Sequence, residues 1–468
     1  MASLEELPDE LIIAVVDYLS FTSLPNLNRV NHRFHNLTTP HLYTTFAGPK
    51  AQQFLRTITS PLREERDLAQ HVKKVQWRAY ADNVHDRTGA RARIKRCIPT
   101  SERQPVVRAY QQLGLRVPPD SRDPPLDVLF TRDLIPYEHW YLEFFLSFLP
   151  NVSDLEVHDT WQWNNHRHWF THFASNIERF KCLKTVTMHG PLRLPNVTPL
   201  LELPRIRSLE LHRVIVMRIQ AHRSLAWDMD EPNHYPLKAG SIALESLALK
   251  KSYIKAIALK ALLHCIKSLK SFTYEHVRHR LSHPINTQLV LDYSQLGSAL
   301  AGHAGTLTSL RIHDERDEGM LGLIQVLTHL PALEELDIRL PQNAAEALTQ
   351  TSTSPVQIDV DMWIEKNFPS APLHTLKVWT KNRKFQRSFW HHCSAPTCKQ
   401  FADSNALNSI VVLHALAKRG LKRVCLAFRD EHGHVPSLST QPWLEDFAFT
   451  KGVFASAGLE FVLVDYDE

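Results

Sequence analysis

The densest set of potential metal ligands in the chain is His391-His392-Cys393 with Cys398. Four nitrogen or sulfur donors within eight residues are the raw material of a zinc site. Their spacing argues against one. A Cys-x4-Cys pair beside two adjacent histidines is not a finger spacing, and adjacent residues on a regular element point apart. The segment reads as a polar loop with two free thiols, so no metal is assigned and no cofactor is expected. A second dense stretch is Trp161-Gln-Trp163-Asn-Asn-His166-Arg-His168-Trp169-Phe170. Aromatic rings dominate binding hot spots, so in a loop these would make a recognition surface. Trp169, Phe170 and Phe173 read better as the buried face of a helix; Trp161 and Trp163 stay open between the two readings. Gly-x-Gly-x-x-Gly, a Walker-type Gly-Lys-Ser/Thr, Gly-x-Ser-x-Gly and His-Glu-x-x-His are all absent from the sequence. No catalytic residue is assigned, and the chain is expected not to be an enzyme.

Composition narrows the class further. The chain has 468 residues, 43% of them hydrophobic, with 14 glycines and a net charge of +5. That length fits two to four ordinary domains, or one small domain followed by a long repeat array. Charge this mild does not argue for nucleic acid. Arg87, Arg91, Arg93, Lys95 and Arg96 do form a basic cluster, followed by Pro105, Pro118, Pro119, Pro124 and Pro125. The cluster reads either as a nuclear-import or phosphate-contacting patch or as a solvated loop, and the loop reading is preferred. The stretch from about 82 to 128 is expected to be a disordered insertion. No leader-like N-terminus and no run near the roughly 18 apolar residues needed to span a bilayer is found, so no membrane partner is expected. The six cysteines are scattered and read as reduced thiols of a cytoplasmic or nuclear protein.

A phrase of the form apolar-x-x-apolar-x-apolar recurs after Gln70. Clear copies are Val152-Ser-Asp-Leu155-Glu-Val157, Leu183-Lys-Thr-Val186-Thr-Met188, Ile206-Arg-Ser-Leu209-Glu-Leu211 and Leu333-Glu-Glu-Leu336-Asp-Ile338. Others start at Leu244, Leu269, Leu307, Leu373 and Leu421, and Val72 and Leu459 begin the terminal members. The last two apolar positions alternate with a polar one, which is strand periodicity; the first sits in the turn leading in. Several copies follow a helical stretch stopped by proline or glycine, as at Trp140 to Leu149 before Pro150, Met320 to Leu330 before Pro331 and Leu407 to Arg419 before Gly420. Helix, turn and short strand in repetition is similar to a leucine-rich-repeat solenoid. The gaps between starts are irregular, from 23 residues (Leu183 to Ile206) to 80 (Val72 to Val152), where a regular array holds about 20–29. An ordinary α/β domain with parallel strands sharing one lead-in is the alternative. On a curved array the concave residues lie between the paired apolar positions: Glu156, Thr187, Glu210, Arg311, Asp337, Lys377 and Cys425. The first six of these are the candidate target contacts, and the mixed charge of the row names no target class.

The first 46 residues differ in kind. Leu7-Pro8-Asp9-Glu10 opens a helix, with proline just inside the start and acids in the first turn. Leu11, Ile12, Ile13, Val15, Val16 and Leu19 give more apolar surface than one buried stripe needs. Thr22 or Ser23 is placed to cap a second helix carrying Leu24, Leu27 and Val30, and Phe34 and Leu37 continue a third apolar stripe. About 40 residues rarely bury enough surface to stand alone. The surplus reads either as a partner surface or as the first helical layer of a larger domain.

The order Leu-Pro-x-Glu-Leu, Tyr18-Leu19, Ser23-Leu24-x-x-Leu27, Val30-Asn31-x-Arg33-Phe34 and Pro40-x-Leu42-Tyr43 resembles an F-box. The resemblance implies three short helices that dock on a Skp-type adaptor and, through it, on a cullin-RING ubiquitin ligase. The adaptor-facing positions it implies are Leu7, Pro8, Leu11, Ile12, Leu19, Leu24, Val30, Phe34 and Leu37, some of which must instead form the unit's own core. The expected fold class is α/β: a small all-α F-box at 1–46, a helical connector at 47–70, and an irregular leucine-rich-repeat-like solenoid with parallel strands and helices at 71–468. The expected function is that of a substrate-recognition subunit of a Skp–cullin–F-box ligase that binds an unknown target protein through its repeats. The alternative is a non-catalytic binding scaffold without a ligase.

Overall fold

In the computed structural model of the chain the described residues are 4–20, 22–47, 54, 57, 68–78, 142, 145–158, 180–192, 194–214, 237–254, 256–276, 293–314, 330–339, 373–380, 417–418, 420–428, 451–452 and 454–464. The expected insertion at 82–128, the basic cluster, Trp161 to Phe173 and the His391–Cys398 group lie outside them. Among the described residues no helix is long and apolar enough to cross a membrane. The chain divides into two compact units, Met1–His212 and Arg213–Glu468.

The first unit opens with a short 3-10 turn, Leu4–Glu6. Pro8 then stands at the N-cap of α1 (Asp9–Asp17), one position before the helix, with Asp9 and Glu10 in the first turn. Ser23 caps α2 (Leu24–Asn28) by position only, without a side-chain capping bond. The Ser20 hydroxyl instead lies 2.8 Å from the hydroxyls of both Thr22 and Ser23. Capping is carried through at α3 (His32–Tyr43), where the Asn31 side chain accepts from the Phe34 amide at 2.9 Å. Ile12, Val16, Leu24 and Phe34 close into one core, with Leu7, Leu19, Leu27, Leu37 and Leu42 packed around it.

The chain leaves α3 directly into β1 (Thr45–Ala47), a strand the sequence did not announce because three residues show no alternation. β1 pairs in parallel with β2 (Lys74–Arg78), and the amides of Lys73 and Lys74 donate to the Thr44 carbonyl at 2.9 and 3.0 Å. Phe46 packs with Phe54, Trp77 and Phe145, ring centroids 4.7–6.4 Å apart. β3 (Asp154–His158), β4 (Thr185–Leu192) and β5 (Ser208–Val214) continue the sheet in chain order, and the division between units falls near the end of β5.

The second unit lays down β6 (Ser246–Ser252), β7 (Ser271–His276), β8 (Ser309–Asp314), β9 (Glu335–Arg339), β10 (Thr375–Thr380), β11 (Arg423–Phe428) and β12 (Glu460–Val464), and from β7 onward each is parallel to the one before. All eleven recurring phrases therefore end on strands, and in every copy the lead-in apolar residue is buried, from Val72 to Leu459. The arrangement is α/β and consistent with a solenoid-like progression. Parallel neighbours require a crossover, and helices lie in several of them: the short α4 (Thr198–Leu201) between β4 and β5 in the first unit, and α5 (Ala256–Cys265) and α6 (Tyr293–Ala301) between β6 and β7 and between β7 and β8 in the second. Gly420 and Gly458 take φ of 106° and 76° in the turns just before Leu421 and Leu459, a conformation that a Cβ makes costly. Arg213 and Lys251 adopt φ of 60° and 48° at the same place in β5 and β6. Each turns the next residue, Val214 or Ser252, back into the interior, where the Val214 amide donates to the Ser252 hydroxyl at 3.0 Å.

One buried histidine fastens the helical layer of the second unit to its strands. His303 Nε2 donates to the Leu263 carbonyl at 3.0 Å, and Nδ1 accepts from the Leu269 amide. Burial pushes its pKa down, opposed by the Leu263 bond and assisted by the charge of His264. The unfolded chain therefore takes up this proton first on acidification. Stability from this group is complete above about pH 6.5 and falls as pH drops through that value toward the lower folded one. His303→Gln, which removes the titration, is expected to flatten the loss of stability between pH 7 and 5 in denaturant titrations. Parallel pH curves for the two proteins would contradict this.

Candidate functional site

Two surfaces collect the candidate residues. On α1 and just past its C-terminal end, Ile12, Val16 and Leu19 run at i, i+4 and i+7 and face the core. One residue earlier in each case, Leu11, Val15 and Tyr18 form a second stripe that is 52, 38 and 92% exposed. Leu4, Ile13 and Val30 are exposed as well. Residues with this exposure do not hold the three helices together; other contacts do. The Arg33 guanidinium donates from Nη1 to the Glu5 carbonyl and from Nη2 to the Leu7 carbonyl, both at 2.6 Å, and from Nε to Asp9 Oδ1 at 2.8 Å. That ion pair is partly exposed and contributes well under ~1 kcal/mol as a charge interaction; its effect is to fix where α1 begins relative to α3. Asn28 does the same for α2, donating to the hydroxyls of Thr38 and Thr39 and lying 2.9 Å from His35 Nδ1. The result is a rigid, polar-laced base under an apolar outer stripe.

Residues 4–47 match a family model described as F-box-like. The N-terminal helices are an F-box-like domain. No curated protein matches the chain. Within the F-box, the structure separates the nine positions implied by the resemblance. Ile12, Leu24 and Phe34 are core; Leu7, Leu19 and Leu37 are half-buried against that core; Pro8, Leu11 and Val30 are exposed. Leu4, Ile13, Val15 and Tyr18 belong to the exposed set and were not among the nine. The second i, i+4, i+7 stripe, offset by one residue, is the signal that points to the last two.

The other surface is the polar face of the strands. In the first unit, Gln76, Glu156 and Thr187 stand in register across β2, β3 and β4. Two residues further along, on the same face, His158 stands opposite His189. Their rings stack at 4.1 Å and 2°, and His212 on β5 adds a third ring 4.1 Å from His189. Glu156 Oε1 accepts from His158 Nε2 at 2.8 Å and lies 3.7 Å from His189 Nε2, while Glu156 Oε2 accepts from Gln76 at 2.9 Å. Glu210 Oε1 lies 2.6 Å from His212 Nε2. Burial pushes the Glu156 carboxyl up, but the bonds from His158 and Gln76 and the neighbouring imidazoles outweigh it and lower its pKa. Burial, then the charges of His212 and His158, push His189 down to about 4 against the pull of Glu156 and Glu210. None of the three histidines was singled out in the sequence, although Glu-x-His recurs at 156–158 and 210–212 in the strand phrase.

In the second unit, Arg311, Asp337, Lys377 and Cys425 stand in one register row across β8 to β11. Arg311 pairs with Glu275 at 3.4 Å and Asp337 at 3.5 Å, and Asp337 also meets His313 Nε2 at 2.7 Å. Cys425 shares the row but is buried, and burial pushes its thiol pKa up. It is not positioned to contact a target.

Proposed function

We propose that this chain is the substrate-recognition subunit of a Skp–cullin–F-box ubiquitin ligase. The single observation that carries the reading is the F-box-like match at residues 4–47, on helices whose outer stripe is apolar while their own core is already closed. F-box domains typically bind Skp-type adaptors, so Leu11, Val15, Tyr18 and Val30 are the proposed adaptor contacts. The polar strand faces are the proposed target surface, with Glu156, Thr187 and Glu210 in the first unit and Arg311, Asp337 and Lys377 in the second. The strand array would act as a leucine-rich-repeat-like receptor working in the cytoplasm or nucleus. Its contribution to ubiquitin transfer is proximity: a target held near the charged carrier reacts as though in the same molecule, and the chemistry resides on other subunits.

The test is reconstitution of the full chain with a Skp-type adaptor and a cullin-RING scaffold. Co-elution of the chain with the adaptor, and with the scaffold only when the adaptor is present, is the expected result. A chain that elutes alone under all conditions overturns the ligase reading and leaves a binding scaffold.

A further inference from the structure

The histidine row on β3 and β4 has a second consequence, independent of the ligase reading. We propose that Glu156, His158 and His189 bind a borderline divalent transition-metal ion of the zinc class. The three side chains offer one ligand atom each, all within 4.8 Å of one another. They are neither sealed in nor fully solvated: Glu156 is 27% exposed, His158 31% and His189 30%. Two imidazoles and one carboxylate form a ligand set that zinc accepts, with a fourth position left for water or another donor.

Geometry favours one ion between the three. In a tetrahedral centre with ligand bonds of about 2.0–2.1 Å, ligand atoms stand roughly 3.3–3.4 Å apart. The two Glu156 Oε1 separations, 2.8 Å to His158 Nε2 and 3.7 Å to His189 Nε2, bracket that value. The stacked rings must turn so that their Nε2 lone pairs converge, a rotation open to side chains on a partly solvated face. The proton that His158 Nε2 donates to Glu156 leaves that nitrogen, and the imidazole carries its proton on Nδ1 instead. The backbone needs no change, because parallel pairing already holds His158 opposite His189.

The surroundings are those of a supported ligand set. Gln76 holds Glu156 Oε2 at 2.9 Å, which leaves Oε1 directed at the imidazoles. The His212 ring lies against His189 at 4.1 Å, tilted by 34°, and its own Nε2 is engaged by Glu210 at 2.6 Å. Outer partners of this kind commonly alter metal affinity 10–100-fold. Gln76 is thus a positioning residue and not a ligand.

The full chain, titrated with zinc chloride by calorimetry after chelator treatment, is expected to bind one equivalent that His158→Gln and His189→Gln each weaken at least tenfold. Gln76→Ala should weaken it by about tenfold while leaving the stoichiometry at one. His313→Gln, which alters a comparable histidine–carboxylate pair on the second unit, should leave it unchanged. Cobalt substitution gives an independent readout: visible ligand-field bands of a four-coordinate centre in the parent protein, lost in His189→Gln. Circular dichroism of each variant confirms that the fold is retained. Absence of zinc binding in the parent protein, or binding that survives both histidine substitutions, overturns the proposal; with 27 histidines in the chain, adventitious binding would take that second form.

Discussion

Leu11→Asp combined with Tyr18→Ala is expected to weaken capture of a Skp-type adaptor at least ~100-fold without measurable loss of folding. Aromatic and aliphatic anchors at the centre of an interface typically cost about 2 kcal/mol or more each when removed, and every 1.4 kcal/mol is about tenfold in affinity. In the free protein both side chains face solvent, Tyr18 being 92% exposed and Leu11 52%. Exposed substitutions of this kind usually change stability by no more than about 0.5 kcal/mol. The two effects therefore separate cleanly in one experiment: adaptor affinity by calorimetry and midpoint of thermal unfolding on the same sample. An unchanged affinity would move the contact away from the α1 stripe.

Phe34→Ala is expected to abolish the same binding by the opposite route. Phe34 is 1% exposed and sits among Ile12, Val16 and Leu24. Truncating a buried phenylalanine costs about 3–5 kcal/mol, and a unit of this size has little stability beyond that. Amide protons of α1 and α3 should then exchange rapidly before any adaptor is added, whereas in Leu11→Asp/Tyr18→Ala they remain protected. Retained protection in Phe34→Ala would mean that neighbouring strands, and not the four-residue core, hold the helices together.

The strand phrase was legible because its physics is local. An apolar residue in a turn, followed by two more in alternation, commits a segment to a buried lead-in and a one-sided strand, and all eleven copies obey this from Val72 to Leu459. What stayed hidden was set by neighbours distant in sequence. Ile12 and Leu11 are adjacent and both apolar, and only the packing of α3 decides which faces inward. Thr45–Ala47 carries no periodicity of its own and becomes a strand because β2 offers it a ladder. His158 and His189 lie 31 residues apart and look like ordinary surface residues until parallel register sets them face to face. Cys425 fails in the other direction: alternation places it on the outer row, yet it is buried.

The direct passage from α3 into β1 removes a degree of freedom from the proposed receptor. Only Thr44 separates Tyr43, the last residue of α3, from the strand, and its carbonyl accepts from both Lys73 and Lys74. No tether of random coil lies between the F-box-like helices and the sheet of the first unit. A tethered receptor samples many bearings and tolerates targets of many sizes, at the cost of dilution. Here the helices and strands β1 to β4 belong to one compact unit. A ligand seated on that sheet face is carried at a set angle to whatever holds Leu11 and Tyr18. In the proposed ligase, which of the target's lysines meets the incoming ubiquitin would be decided by how far each stands from the sheet, and lengthening the chain at Thr44 would change the choice of lysine before it changed the strength of binding.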